Sequence, residues 1–556
     1  MSHMSRPWNR SVVLAGALCL VLQGACSKAA HPPQVVKSAP VAAKSQPVAQ
    51  PTANSERYLN FNNLGEPEYL DPGLMSGVRE VNIAGSLFEG LFAYDAKTGA
   101  PVPAGAEKWS ASADGKTYTF TLRKNAKWTD GTPVTAKDYM FAWERVLNPK
   151  TAAKYSFVYY YIQNAKEYNE GKITDASQLG FRALDDYTLE VTLAQPAPFF
   201  TGLLANPSYF PVPRQAVEKF GDKWTLPEHI VTNGAFALKS WVPYKEIVVA
   251  KSPTYWGAAS VKLAGVRFLP IEDKETALKM YEAGEVDVSW EVPTTKAPSL
   301  MKRPDFVKAG YLANEYYQLN TAKPPLNDVR VRKALAMAID RKTLVEKFLQ
   351  GTEVVDPGFV PSGMQGYVVA QGPTYDPEGA RKLFAEAGFA DGSTFPVQTI
   401  HYDTRDENKI VAQIIQQMWK QNLGITTELF NEEWKTYLKT NNMRNFQITR
   451  TGWVGDYLDP NTFLDLMTSY SQQNNTNWAN PTYDHLVENS LKELNATKRL
   501  AMLHDAEALL LAEMPIIPLF TKSKMMMVRE NLKGFYANLM DQHAFKEMYF
   551  ADEAAK

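Results

Sequence analysis

Residues 376–424 read DPEGARKLFAEAGFADGSTFPVQTIHYDTRDENKIVAQIIQQMWKQNLG. Asp376 stands before Pro377, and Gly388 follows the last apolar turn. Proline at a first helical position and glycine past the last one mark a helix start and stop. A strand is predicted at 398–402. Residues 405–422 then place Ile410, Ile414, Ile415 and Met418 on one face, and Gly424 ends the pattern. Helix, strand and helix at this spacing argue for βαβ units and a mixed sheet, an α/β fold.

The alternation extends outward in both directions. A helix is predicted from Asn327 to Gln350, another at 497–513, and a strand at 515–521. Toward the N-terminus, RYLNFN at 57–62 and TYTFTLR at 117–123 alternate as strands. Thr135 with Asp138 three residues on is an approximate capping box, and Tyr139, Met140, Trp143 and Val146 share the face of the helix that follows. Further strands are predicted at 187–193, 245–250 and 286–290. Helices at 214–220 and 272–283 stop at Gly221 and Gly284. No internal repeat is visible.

At 556 residues the chain has room for three to four domains, and 45% hydrophobic with 21% charged residues gives ample core. A net charge of −1 carries no basic excess to recruit nucleic acid or an anionic membrane surface. Both cysteines lie in the first 26 residues, Cys19 and Cys26. The remainder therefore works without disulfides, cysteine nucleophiles or cysteine-bound metals.

Those first residues read as an address. Arg6 and Arg10 precede an apolar run, Ser11 to Leu22, which suits a signal segment and is short for a membrane span. Gly24 and Ala25 before Cys26 resemble a bacterial lipobox, with Gln23 where an aliphatic residue is usual. Cys26 is thus the expected lipid-attachment site. Residues 27–55 contain no aromatic and no acidic residue and read as a flexible tether.

Motifs for chemistry are missing. There is no HExxH, GxSxG, GxxxxGK[ST] or GxGxxG after a strand. His401 near Asp403 reads as a polar pair, and the run Met525 to Met527 as packing. No catalytic residue, metal or cofactor is expected. One segment invites a ligand: RTGWVGDYLDP at 450–460 sets Asp456 among Trp453, Tyr457, Gly452 and Gly455. A carboxylate among rings suits an ammonium group. The same string also reads as a loop whose tryptophan packs in the core.

Several stretches together carry a resemblance. They are LDP at 70–72, LFEGLF at 87–92, TYTFTLRKNAKWTDGTPVTAKDYMFAW at 117–143, IVTNGAFALKSW at 230–241, PPLNDVRVRKALAMAID at 324–340, NEEWKTYL at 431–438 and RTGWVGDYLDP. In this order, over about 57–550, the chain resembles the periplasmic oligopeptide-binding proteins of ABC importers. The resemblance implies a type II periplasmic-binding-protein fold, two lobes with a hinge and ligand between them plus an additional domain. After a signal at 1–25 and tether at 26–56, lobe I is expected at 57–88, 214–312 and 524–556. The additional domain is expected at 89–213 and lobe III at 313–523.

It also implies a function: binding short peptides in extended form, with little sequence selectivity, and delivering them to a membrane permease and its ATPase. The expected protein is periplasmic, lipid-held at Cys26, monomeric and not an enzyme. Murein-peptide binding or peptide sensing is the alternative on this scaffold, and a secreted peptide hydrolase a more distant one.

By resemblance, Asp456 takes the peptide ammonium and Gly452 and Val454 bond its backbone, with Ser76 and Val78 opposite. Trp434 and Trp453 form pocket walls, Tyr155 and Tyr316 lie near the ligand, and Arg450 receives the peptide carboxylate. Two departures stand out. Asn408 replaces a histidine of the enteric proteins, and Ala313 and Val454 occupy the places of their bridged cysteines.

Overall fold

The computed structural model describes residues 57–75, 77–356 and 358–551. The signal, the tether with Cys26, and Ser76 lie outside the described residues. Ten strands build one mixed sheet. They are β1 (Tyr58–Asn62), β2 (Phe236–Val242), β3 (Glu246–Lys251), β4 (Gly265–Leu269), β5 (Val288–Ser289), β6 (Phe306–Leu319), β7 (Gln398–Asp403), β8 (Thr427–Glu432), β9 (Ile448–Val454) and β10 (Ile516–Val528). Their order across the sheet is β8-β7-β9-β6-β10-β5-β1-β4-β3-β2. Four helices matter below: α1 (Val78–Leu87), α2 (Ala136–Leu147), α3 (Asp406–Leu423) and α4 (Trp434–Asn442).

Two large cores flank the long strands. Residues between Leu59 and Trp290, with Met526 to Phe550, fill one. Residues from Leu312 to Phe520 fill the other. The antiparallel β6 and β10 run between the two, and their register slips at the crossing. Gly310 faces Ser523 but Asn314 faces Thr521, so three residues of β6 lie against one of β10. Such a bulge bends its strand and raises the local twist. Leu312 sits in the bulge yet loses no backbone bond. Its amide donates to Leu539 O at 2.8 Å, and its carbonyl accepts from Gly455 at 2.7 Å.

The first core also covers a four-stranded antiparallel sheet of Ala106–Ala111, Thr117–Leu122, Thr188–Thr192 and Phe181–Asp185. Before it packs α2, where the Asp138 carboxylate accepts from the Thr135 amide at 2.7 Å and Tyr139, Trp143 and Val146 are buried. The Met525–Met527 run is buried within β10.

Local physics corrects several expectations. The helix read from Asn327 to Gln350 breaks after Met337, because Asp340 caps a new turn by accepting from the Thr343 amide at 2.9 Å. Beyond it Leu344–Phe348 winds as a π turn. In α3 the buried face holds Val411, Ile415, Met418 and Trp419, whereas Ile410 is 44% exposed at its edge. The strand at 286–290 shortens to β5.

Candidate functional site

β9 carries the 450–460 segment out of the second core. On one side it pairs fully with β6, from Leu319 opposite Ile448 to Ala313 opposite Val454. On the other side β7 reaches only Ile448 and Thr449. Among the described residues, Arg450 to Val454 therefore have no strand neighbour on that edge. Unpaired strand edges accept another extended chain. The edge runs past Gly452, where a Cβ would come within 2.7 Å of the Asn314 carbonyl, so only glycine lets β6 approach so closely. Val454 projects outward and Trp453 is half-buried. The two positions named as a departure, Ala313 and Val454, stand directly opposite each other.

The chain turns as it leaves β9. Gly455 allows the turn to press on Leu312, where an added Cβ would sit 2.7 Å from Leu312 Cδ2. Next comes Asp456, whose amide donates to Thr462 Oγ1 at 3.2 Å. Its half-buried carboxyl has no hydrogen bond or ion pair with another described residue, and burial pushes its pKa up to about 6. Tyr155 approaches from the other core. Burial, then the Asp456 charge, raises the pKa of its phenol. Tyr457 completes the contact by stacking on Phe199 with ring centroids 4.2 Å apart. The loop is fixed from behind by Asp459, which accepts from both terminal nitrogens of Arg499 at 2.6 and 2.7 Å.

At the other end of the edge, Arg450 is buried and engaged. Its Nε and Nη2 donate to Glu315, the latter at 2.5 Å, and its Nη1 donates to Asp403 at 3.2 Å. Burial alone would lower the Arg450 pKa, but the Glu315 and Asp403 charges outweigh it and hold the group protonated. The open carboxylate receiver expected at Arg450 is thus already filled by the protein's own acids. Asn408, buried on α3, donates to Asp403 Oδ1 at 2.8 Å rather than facing open space.

Other expected residues divide. Trp434 is 48% exposed at the start of α4, stacks on Tyr437, and has Arg405 over its ring at 5.9 Å. Tyr316 is buried under the edge against Phe359, so it supports the floor and offers no surface. Val78, expected on the segment opposite, is the first residue of α1 and is 41% exposed. Sequence reading missed Glu315, Phe199 and Tyr437, whose hydroxyl donates to the Arg450 carbonyl. Only the aromatic theme of 432–437 hinted at the last. Among the described residues no group of three or more His, Cys, Asp or Glu could hold a metal, and no helix is long and apolar enough to cross a membrane.

A wide mixed sheet bridging two cores, with an unpaired strand edge and a bare carboxylate between them, defines a protein that holds solute between lobes. The family model for bacterial extracellular solute-binding proteins, family 5, matches residues 100–475, and the chain belongs to that family. It is a solute-binding protein and not an enzyme. Periplasmic oligopeptide-binding protein OppA of Escherichia coli (strain K12) is 38% identical over 545 residues, 96% of this chain and 96% of that protein. The unliganded open form of the murein tripeptide-binding protein MppA superposes with a TM-score of 0.85, at 34% identity over 92% of this chain and all of that one. Haemophilus influenzae OppA in complex with the peptide RPPGFSPFR gives 0.67, at 33% identity over 90% of this chain and all of that one. At nearly equal identity, the score is higher against the unliganded open form than against the peptide complex.

Proposed function

We propose that the chain captures short peptides in extended form between its lobes and delivers them to the permease and ATPase of an ABC importer. The observation that carries this reading is the Asp456 carboxyl, half-buried and without a counter-ion, at the end of an unpaired strand edge. A desolvated carboxylate alone is costly, and an α-ammonium relieves the cost with charge and hydrogen bonds together. From that end the peptide backbone adds to the free edge at Gly452 and Val454, a contact indifferent to side chains. Trp453, Trp434 and Tyr155 line the path. The higher score against an unliganded open form supports lobes that close around the ligand.

Lobe I is assigned to 57–88, 214–312 and 524–556, the additional domain to 89–213, and lobe III to 313–523. Ser76 and Val78 contribute to the opposite wall, Ser76 from outside the described residues and Val78 from a helix start. Export to the periplasm, a lipid on Cys26 and a monomeric state complete the proposal. The test is incubation with a mixed peptide pool, followed by mass spectrometry of what co-purifies. Intact peptides with free amino ends are expected. Cleaved products, or equal retention of N-acetylated peptides, would sink the reading.

A further inference from the structure

The strands that offer the peptide edge have a second edge behind them. β9, β6 and β10 lie side by side, and β10 meets β5 only at Met527 and Val528. From Ile516 to Phe520 it has no strand neighbour on that side among the described residues, and Val354 bridges to Thr521 just beyond. At about 4.8 Å between strands, this edge stands roughly 10 Å across the sheet from the first. A cavity of about 200 Å³ opens here, lined by Asp340, Arg341, Lys342, Asp356 and Tyr375, with Pro518 of β10 in its wall.

Two charges in this cavity lack a counterpart. Arg341 is tied by carbonyls alone. Its Nε donates to Pro518 O at 2.7 Å and its Nη1 to Ala336 O at 3.2 Å, in the last turn of the helix Val329–Met337. Its Nη2 makes no hydrogen bond to another described residue. Burial pulls its pKa down to about 10, and no acid charge offsets the loss. Asp356 is 4% exposed. Its Oδ2 accepts from the Ser362 amide at 2.8 Å and the Thr521 hydroxyl at 2.9 Å, whereas Oδ1 has no partner. A guanidinium and a carboxylate thus line one cavity without pairing, although buried charges are ordinarily paired.

We propose that this cavity is a second binding site, for a small α-amino acid whose carboxylate meets Arg341, whose ammonium meets Asp356, and whose short apolar side chain rests on Ile339, Val355 and Pro373. Asp340 and Lys342 complete the lining charges, with the Asp340 carboxylate already accepting from the Thr343 amide. Two acids and two bases leave no net charge. A ligand with one charge of each sign preserves that balance, whereas a plain anion or cation leaves Asp356 or Arg341 bare. The size also fits, since a cavity of about 150 Å³ already holds a molecule as large as benzene. Both anchors run to β10, Arg341 through Pro518 and Asp356 through Thr521, so the occupant braces that free edge. The site is separate from Asp456 and does not depend on peptide capture.

The test is calorimetry on the full chain with L-valine, N-acetyl-valine and valinamide, in the wild type and in Asp456→Ala, which removes the groove's hold on an ammonium. L-Valine is expected to bind both chains equally, and each blocked form at least tenfold more weakly. Asp356→Asn, which keeps the side chain's shape, should weaken L-valine at least tenfold. Thr374→Trp, at an exposed position that lines the cavity, should abolish binding with less risk to the fold. Arg341 is left in place because its carbonyl bonds hold a helix end to β10. No binding of L-valine to either chain, or blocked forms as tight as the free amino acid, would overturn the inference. Binding lost in Asp456→Ala but kept in Thr374→Trp would overturn it too, by placing the amino acid in the groove.

Discussion

Asp456 and Asp459 lie three residues apart in one loop, and their surroundings could hardly differ more. Asp459 is gripped by both terminal nitrogens of Arg499 in a buried pair. Asp456 is half-buried with no cation, and its pKa is pushed up to about 6. The first carboxylate holds the loop in shape. The second leaves an electrostatic deficit that a ligand can fill. Burial of a charge does not by itself tell structure from binding; the presence or absence of an internal partner does.

The contrast can be broken at either residue. Asp456→Ala should cost about 3–5 kcal/mol of peptide affinity, the scale for a bound charge deprived of its partner, and unchanged affinity by calorimetry would remove it from the site. Asp459→Ala should instead lower unfolding stability by about 3 kcal/mol, since Arg499 stays buried and unpaired. Denaturant titration checks this, and a mere affinity loss with normal stability would dissolve the distinction.

Asp456→Asn sharpens the comparison in the opposite direction. An acid whose folded pKa lies above its unfolded value loses stability as pH rises between the two. The free protein should therefore weaken from about pH 4 to pH 6 on account of this group. Removing its charge should stabilise the unliganded chain by roughly 2 kcal/mol at pH 7.5. A melting temperature that drops would contradict the unpaired state.

Affinity carries the mirror signature. Below about pH 6 the carboxyl must give up its proton before it meets an ammonium. Binding of a free-amine peptide should then weaken by up to about tenfold per pH unit, about 1.4 kcal/mol, and stay flat above pH 7. Titration calorimetry across pH 5–8 measures the slope, and Asp456→Asn should abolish it. The smallest expected effect is none. Past Cys26 the chain has no cysteine, so reductant should leave the melting temperature unmoved, the loop being held instead by Asp459 and Arg499.

Local signals made much of this legible. Asp376 and Pro377 opened a helix and Gly388 closed it because caps and left-handed turns are set by neighbouring residues. The break at Asp340 was hidden because the apolar positions around it run on without interruption. The long β6 escaped notice for another reason. Its buried residues include Asn314, Glu315 and Gln318, which disguise a strand that gains its burial from partners far along the chain.

The site shows the same limit. Asp456 was singled out by its flanking glycines, rings and family likeness. The neutralisation of Arg450 could not, since Glu315 and Asp403 arrive from 135 and 47 residues away. Val78, expected on the segment opposite, heads α1, and the extended Gly77 before it gives no sign of which element follows.

The hydrogen bond from Gly455 to the Leu312 carbonyl has a mechanical meaning. It fastens the loop that carries Asp456 to the bulge where the long strands pass between the two cores. A pull on Asp456 would reach that bulge through the adjoining peptide unit, with no relay of intervening side chains. Under the proposed function, one hydrogen bond between two strands would then tie the hold on an amino terminus to any swing of the lobes.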